Sequence, residues 1–253
     1  RAEEHEFAPL QAAFVRSCRA LGAGYQPDFN APDAEGVGPA PMNRVGTTRM
    51  STAATHLAPA RGRPGLTVRG DLHVRRVVLR GTTATGVELT DGTVIDAGEV
   101  VLTAGAIQTP ALLQRSGVGP AALLSGLDVP VVADLPVGEN LGDHFSVPLL
   151  AAPREGTWAP EDFSLQTVLR TSTAAQPGAL DAQLTMFTYL DVSTTEAGAR
   201  GLAGTGGTGH GQLAGMGCVL NKPRSVGTVR ITSTDATVLP RVAPGYLTEQ
   251  VDR

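Results

Sequence analysis

Apolar positions along the chain mark out a helix, a turn-rich stretch, a block of alternating strands and then one strand-to-helix passage that organises the rest. Phe7, Leu10, Phe14, Val15 and Leu21 recur at roughly helical spacing until Gly22 and Gly24 end the pattern, which predicts an amphipathic helix over 7–21. Tyr25–Pro41 is dense in turn formers and has no periodicity, so it reads as an extended surface loop. Ser51–Ala60 predicts a short helix with Ser51 or Thr52 as N-cap and Pro59 near its end. Leu66–Arg69 reads as a short strand. His73–Leu79 alternates, and Thr85–Leu89 leads through the turn formers Asp91 and Gly92 into Thr93–Asp96, a meander of three strands.

The organising passage is Glu99–Pro120. Val100, Val101 and Leu102 form an apolar run that predicts a buried strand, and the run stops at the small residues Thr103, Ala104, Gly105 and Ala106. Thr109 and Pro110 supply an N-cap and a proline at the first helical position, Leu112 and Leu113 an apolar face, and Ser116–Pro120 a stop. A strand that runs through side-chain-poor residues into a helix start leaves room for an anionic ligand against backbone N–H groups. The same pattern serves close packing, and spacing alone leaves both readings open.

After Pro120 the pattern gives a short helix over Ala121–Leu127 and an extended segment over Val129–Pro136, and from Ser146 the signal thins. Phe163–Thr171 and Leu180–Leu190 read as strands, Trp158 as a packing anchor, and Glu196–Gly211 as a glycine-rich loop. Gly204, Gly206 and Gly209 carry dinucleotide-loop spacing, but no strand precedes them and no helix clearly follows.

Composition narrows the picture only slightly. A chain of 253 residues with 42% hydrophobic content can bury a substantial core, as one large domain or two ordinary ones. Its net charge of -4 and scattered arginines give no argument for nucleic acid. Cys18 and Cys218 are too few and too distant for a disulfide framework or a metal site, and read as unpaired thiols. Asp28, Asp33 and Glu35 lack the ligand spacing of a calcium loop and read as turn chemistry. His56 reads as an exposed or packed histidine. No apolar run approaches the roughly 18–20 residues of a transmembrane segment and no signal peptide is evident, so a cytoplasmic location is the default expectation.

Gly105–Gly119, reading GAIQTPALLQRSGVG, resembles the second signature of the glucose–methanol–choline (GMC) flavoprotein oxidoreductases. The resemblance extends to Asp28–Gly38, Gly46, Arg49, Ser51–Ala53 and Leu57–Arg61, to Val137–His144, and to 219–252. It implies a fold that is α/β plus α+β: part of an FAD-binding Rossmann-like domain interleaved with an antiparallel-sheet substrate domain. Residues 1–62 would be substrate-side helices and loops, 63–144 part of the FAD-binding domain, and 145–253 the substrate domain. It implies FAD as cofactor, with the Val74 backbone at the adenine ring and Thr103, Ala104 and Gly105 close to the cofactor. Asp143 and His144 invite an acid–base reading, but the family's catalytic histidine lies much further toward the C-terminus. They are therefore expected to be structural or near the cofactor. No catalytic residue is assigned within the chain, and that histidine is expected beyond residue 253.

No G-x-G-x-x-G occurs near the start, so the chain is expected to be an internal section of a longer enzyme or a truncated reading frame. The implied reaction is oxidation of a small alcohol to a carbonyl with hydride transfer to flavin, the electron acceptor being open. A short middle and arginine-rich composition point to the mycofactocin-associated branch. The alternative is a non-catalytic remnant acting as a binding or assembly module.

Overall fold

The computed structural model describes residues 3–154, 156–159, 162–191 and 212–253. In chain order the helices are α1 (Pro9–Ala20), α2 (Ala58–Ala60, entered through a π turn at Ala53–Leu57), α3 (Gly105–Arg115) and α4 (Ala121–Ser125). The strands are β1 (Gly36–Pro39), β2 (Arg44–Val45), β3 (Thr48–Arg49), β4 (Val74–Arg80), β5 (Thr83–Leu89), β6 (Val94–Asp96) and β7 (Val118–Gly119). They continue with β8 (Ala133–Asp134), β9 (Phe145–Ala151), β10 (Leu165–Thr171), β11 (Ala182–Asp191), β12 (Gln212–Leu220), β13 (Thr228–Arg230) and β14 (Arg241–Ala243). The chain divides into two compact units, one of 1–60 with 144–223 and the other of 61–143 with 224–253.

The first unit is built on an antiparallel sheet in the order β1-β10-β11-β12-β9. Helix α1 starts at Pro9, whose missing N–H costs nothing at a first helical position, and lays Gln11, Phe14, Val15 and Cys18 on the sheet. Phe14, Val15, Cys18 and Val37 form its core against Leu169, Leu184, Met186 and Met216. Gln11 is fully buried. Its Nε2 donates to the Met186 carbonyl and Thr188 Oγ1, each at 2.9 Å, and its Oε1 accepts the Thr167 N–H at 3.1 Å, so one side chain joins the helix to two strands. The antiparallel sheet expected for the substrate domain is present, and its strands β9 and β12 lie where the sequence pattern had thinned. Trp158 packs as expected, its ring centroid 5.5 Å from that of Tyr189. Cys18 is buried, Cys218 exposed, and both are unpaired. The glycine-rich stretch Glu196–Gly211, with Gly204, Gly206 and Gly209, lies outside the described residues.

The second unit holds the expected meander, an antiparallel sheet in the order β4-β5-β6 with α3 against β4, together with the β13–β14 hairpin and the parallel pair β7–β8. Gln114, fully buried, staples α3 to the segments around it. Its Nε2 donates to the carbonyls of Val137 and Val229 at 2.8 and 2.9 Å, and its Oε1 accepts the Ile231 N–H at 2.9 Å. That bonding explains one departure from the sequence reading, which placed 145–253 in a single section: residues 224–253 pack instead with 61–143. The two units are nevertheless interleaved along the chain.

Two predicted strands are not formed. Leu66–Arg69 and Glu99–Leu102 are without strand structure, and Val101 is 74% exposed rather than buried. A strand exists only with a neighbour to complete its backbone hydrogen bonds, and among the described residues nothing pairs with either segment. Helix α3 also starts earlier than predicted, at Gly105, with Ala104 at the N-cap and no side-chain cap, so Thr109 caps nothing and Pro110 lies inside the helix. Gly105 makes the turn at φ 82°, and Pro110 forfeits a single bond near the start of the helix.

Candidate functional site

A cavity of about 430 Å³ opens in the second unit between the beginning of β4, the extended segment 100–104 and one face of α3. Val74, Thr103 and Ala104 line it, so three of the four residues expected near a cofactor come together; Gly105 follows them as the first residue of α3. A Cβ on Gly105 would meet nothing within 4 Å, so glycine is required there by its backbone angle and not by crowding. The first N–H groups of a helix have no partner within it, and α3 begins with small residues and no side-chain cap beside this cavity.

Val74 owes its position to the sheet. Thr90 donates its N–H to the His73 carbonyl at 2.9 Å. Successive residues of a strand direct their backbone groups to opposite edges, so the N–H and C=O of Val74 face away from β5. That side is the open edge of the sheet, since β4 is its outermost strand. Further along, the edge is closed by α3: the Arg75 carbonyl accepts from Arg115 Nε at 2.9 Å, and the Val77 N–H donates to Ser116 Oγ at 2.8 Å. The backbone of Val74 thus looks out beside apolar walls supplied by Leu72, Val87, Val100 and Leu112.

Charge is distributed unevenly around this strand. Glu88 faces a bulge at Arg75, accepting Arg75 Nη1 at 2.8 Å and Arg76 Nε at 2.8 Å; the Arg76 guanidinium foremost, with Arg75, holds its carboxyl below the ordinary carboxylate range. Arg115, also on the cavity wall, is 8% exposed. Burial pushes its pKa down, against the Asp235 carboxylate. Gln108, Leu112 and Arg115 fall on one helical face, a spacing that could have picked out Arg115 from the sequence; Ala236, far along the chain, carries no such signal.

Asp143, His144, His56 and Asp28, singled out from the sequence, do not line this cavity. Asp143 accepts a hydrogen bond from the Tyr246 hydroxyl, which raises the tyrosine pKa. His144 lines a separate cavity in the first unit with Arg170, Gln183 and Asn221. Arg224 and Ser225 form a turn whose N–H groups donate to the Asp252 carboxylate at 3.0 and 2.6 Å; burial pushes that carboxyl up, and these bonds outweigh it and hold it low. His56 is exposed, 2.7 Å from Thr55 Oγ1 through Nδ1. Asp28 accepts the Asn30 N–H at 3.1 Å, as turn chemistry requires, and among the described residues no cluster of histidine, cysteine and carboxylate groups could hold a metal ion. No described helix is long and apolar enough to cross a membrane.

Residues 1–146 match the family model described as GMC oxidoreductase. The chain belongs to that family. FAD is the cofactor that membership in the GMC oxidoreductases indicates. An uncharacterized GMC-type oxidoreductase from the thcA 5′ region of Rhodococcus erythropolis is 38% identical over 252 residues, covering 97% of this chain and 47% of that protein. An oxygen-dependent choline dehydrogenase of Pseudomonas aeruginosa is 33% identical over 274 residues, covering 96% and 47%. Among solved structures, pyridoxine 4-oxidase from Mesorbium loti superposes with a TM-score of 0.83 at 27% identity, covering 98% of this chain and 48% of that one. The chain therefore spans about half the length of the curated relatives it matches.

Proposed function

We propose that the cavity at Val74 and Thr103–Gly105 is the adenine side of an FAD site in a GMC-type enzyme that oxidises a small alcohol. The observation that carries this reading is the outward-facing backbone of Val74 beside apolar walls, in a cavity of about 430 Å³. A planar ring with donors and acceptors along its edge fits such a place: the walls take the faces and the Val74 N–H and C=O take the edge. The uncapped start of α3 would favour a negatively charged neighbour of that ring. When bound, FAD supplies the acceptor for the hydride that leaves the alcohol carbon. The contribution of these residues is to bind and orient one end of it. Under this reading 61–143 with 224–253 form part of a Rossmann-like FAD domain, and the five-stranded sheet belongs to the substrate domain. Choline dehydrogenase and pyridoxine 4-oxidase among the similar proteins support an alcohol as substrate. Affiliation with the mycofactocin-associated branch rests on the arginine-rich composition and short middle.

Retention on ultrafiltration tests the site. The purified chain is expected to come without stoichiometric flavin, to retain FAD weakly when it is added, and to lose it to competing ADP but not to FMN, which has no adenine. Competition by FMN as strong as that by ADP overturns the adenine assignment, and a stoichiometrically yellow protein overturns the view that this chain holds only one side of the site.

A further inference from the structure

Arg115 occupies the last turn of α3 and lines the cavity while nearly sealed from solvent. Burying a guanidinium costs free energy unless its donors are paired, and here the pairing is incomplete: Nε donates to the Arg75 carbonyl, but among the described residues Nη1 is buried without an acceptor. Leucine or methionine could fill the space with no donor to satisfy. The distinguishing contribution of the guanidinium is therefore its grip on Arg75. That residue is the extra one of a bulge, standing between the pairs Val74 with Leu89 and Arg76 with Glu88. A bulge interrupts the ladder and frees the strand to bend, so a carbonyl there needs an outside partner to keep its direction. Glu88 holds the side chains of the bulge from the sheet side, and Arg115 holds its backbone from the helix side.

We infer that Arg115 is a positioning residue for the nucleotide end of the cofactor: by clamping the Arg75 carbonyl it fixes the ligand-facing backbone of Val74, and its charge favours an anionic nucleotide at the cavity wall. The inference rests on the flavin-site reading above. It is tested by titrating FAD into the 15N-labelled chain while following the amides of Val74 and Thr103–Gly105 and the Arg115 Nε–H. In the unaltered chain the Arg115 Nε–H signal shifts in step with Val74. In R115M the affinity falls about tenfold, comparable to losing one charge-assisted hydrogen bond. R115K, whose ammonium can offer the carbonyl a single donor, recovers most of that loss. Unchanged affinity in R115M, or an Arg115 Nε–H signal that stays still at saturating FAD, overturns the assignment. The second readout needs no variant and decides even if R115M does not fold. If none of the followed amides shifts in the unaltered chain, the flavin-site reading itself fails and takes the assignment with it; shifts that reach half-saturation in R115M at the same FAD concentration as in the unaltered chain overturn the assignment alone.

Discussion

Replacing Gln114 by leucine tests the packing that holds the candidate site in shape. The side chain is fully buried and makes three hydrogen bonds of 2.8–2.9 Å, to the carbonyls of Val137 and Val229 and from the Ile231 N–H. Leucine is of similar size, so little cavity term arises and the change isolates polar satisfaction. Three backbone groups lose their partner without gaining water. At about 1–2 kcal/mol for each stranded group, Q114L should cost on the order of 3–6 kcal/mol, a large part of the roughly 5–15 kcal/mol of a typical domain. Amide hydrogen exchange is the suitable assay, because it reads the second unit by itself and needs no all-or-none transition. The Ile231 amide should lose protection by several orders of magnitude, with smaller losses along β13 and β14. An Ile231 amide that exchanges as slowly in Q114L as in the unaltered chain would refute the claim that Gln114 is what joins α3 to this section.

Gly138 lies at the same junction, at φ 87°, where an added Cβ would run into the Val229 carbonyl and come within 2.5 Å of Gln114 Nε2. G138A should therefore destabilise by more than about 1 kcal/mol, and in a double-mutant cycle with Q114L the two losses should fall short of their sum; additivity in urea or exchange measurements would argue against a shared junction. Glu88 has its carboxyl held low by Arg76 and Arg75, so its contribution is present above the ordinary glutamate pKa and is lost as pH falls through the lowered value. E88Q should cost about 1 kcal/mol near neutral pH and remove that acid-side decline, which urea midpoints across an acid pH series would show or deny. Of the two thiols, Cys218 is exposed while Cys18 is buried with its pKa pushed up by burial, so a thiol reagent should label Cys218 promptly and Cys18 only on unfolding; equal rates would contradict the packing of α1.

The meander and α1 were legible because each carries its own periodicity: alternation with a tight turn over His73–Asp96, and Phe14, Val15 and Cys18 on one helical face. Glu99–Leu102 reads as a strand for good local reasons, yet strand formation depends on a neighbour that local sequence does not contain. Strand β12 escaped notice for the opposite reason. Its glycines look like loop residues, but Gly215 lies against the Leu149 carbonyl and a Cβ on Gly217 would stand 3.2 Å from the Phe187 ring, so close packing demands them within a strand. The start of α3 was misplaced because Thr109 and Pro110 imitate a cap, whereas Gly105 makes the turn through backbone conformation alone. The lining of the candidate cavity was legible in part. Val74, Thr103 and Ala104 were reached through a family motif, while Arg115, inside that motif, became visible only through its bond to Arg75.

The central claim is that the adenine end of FAD lies against Val74 and the segment leading into α3. Photolabelling the chain with 8-azido-ADP and mapping the modified peptides tests it most directly. The expected result is saturable labelling confined to peptides containing 72–76 or 100–108, blocked by excess FAD. Labelling that concentrates in the five-stranded sheet unit, or that excess FAD does not suppress, would contradict it.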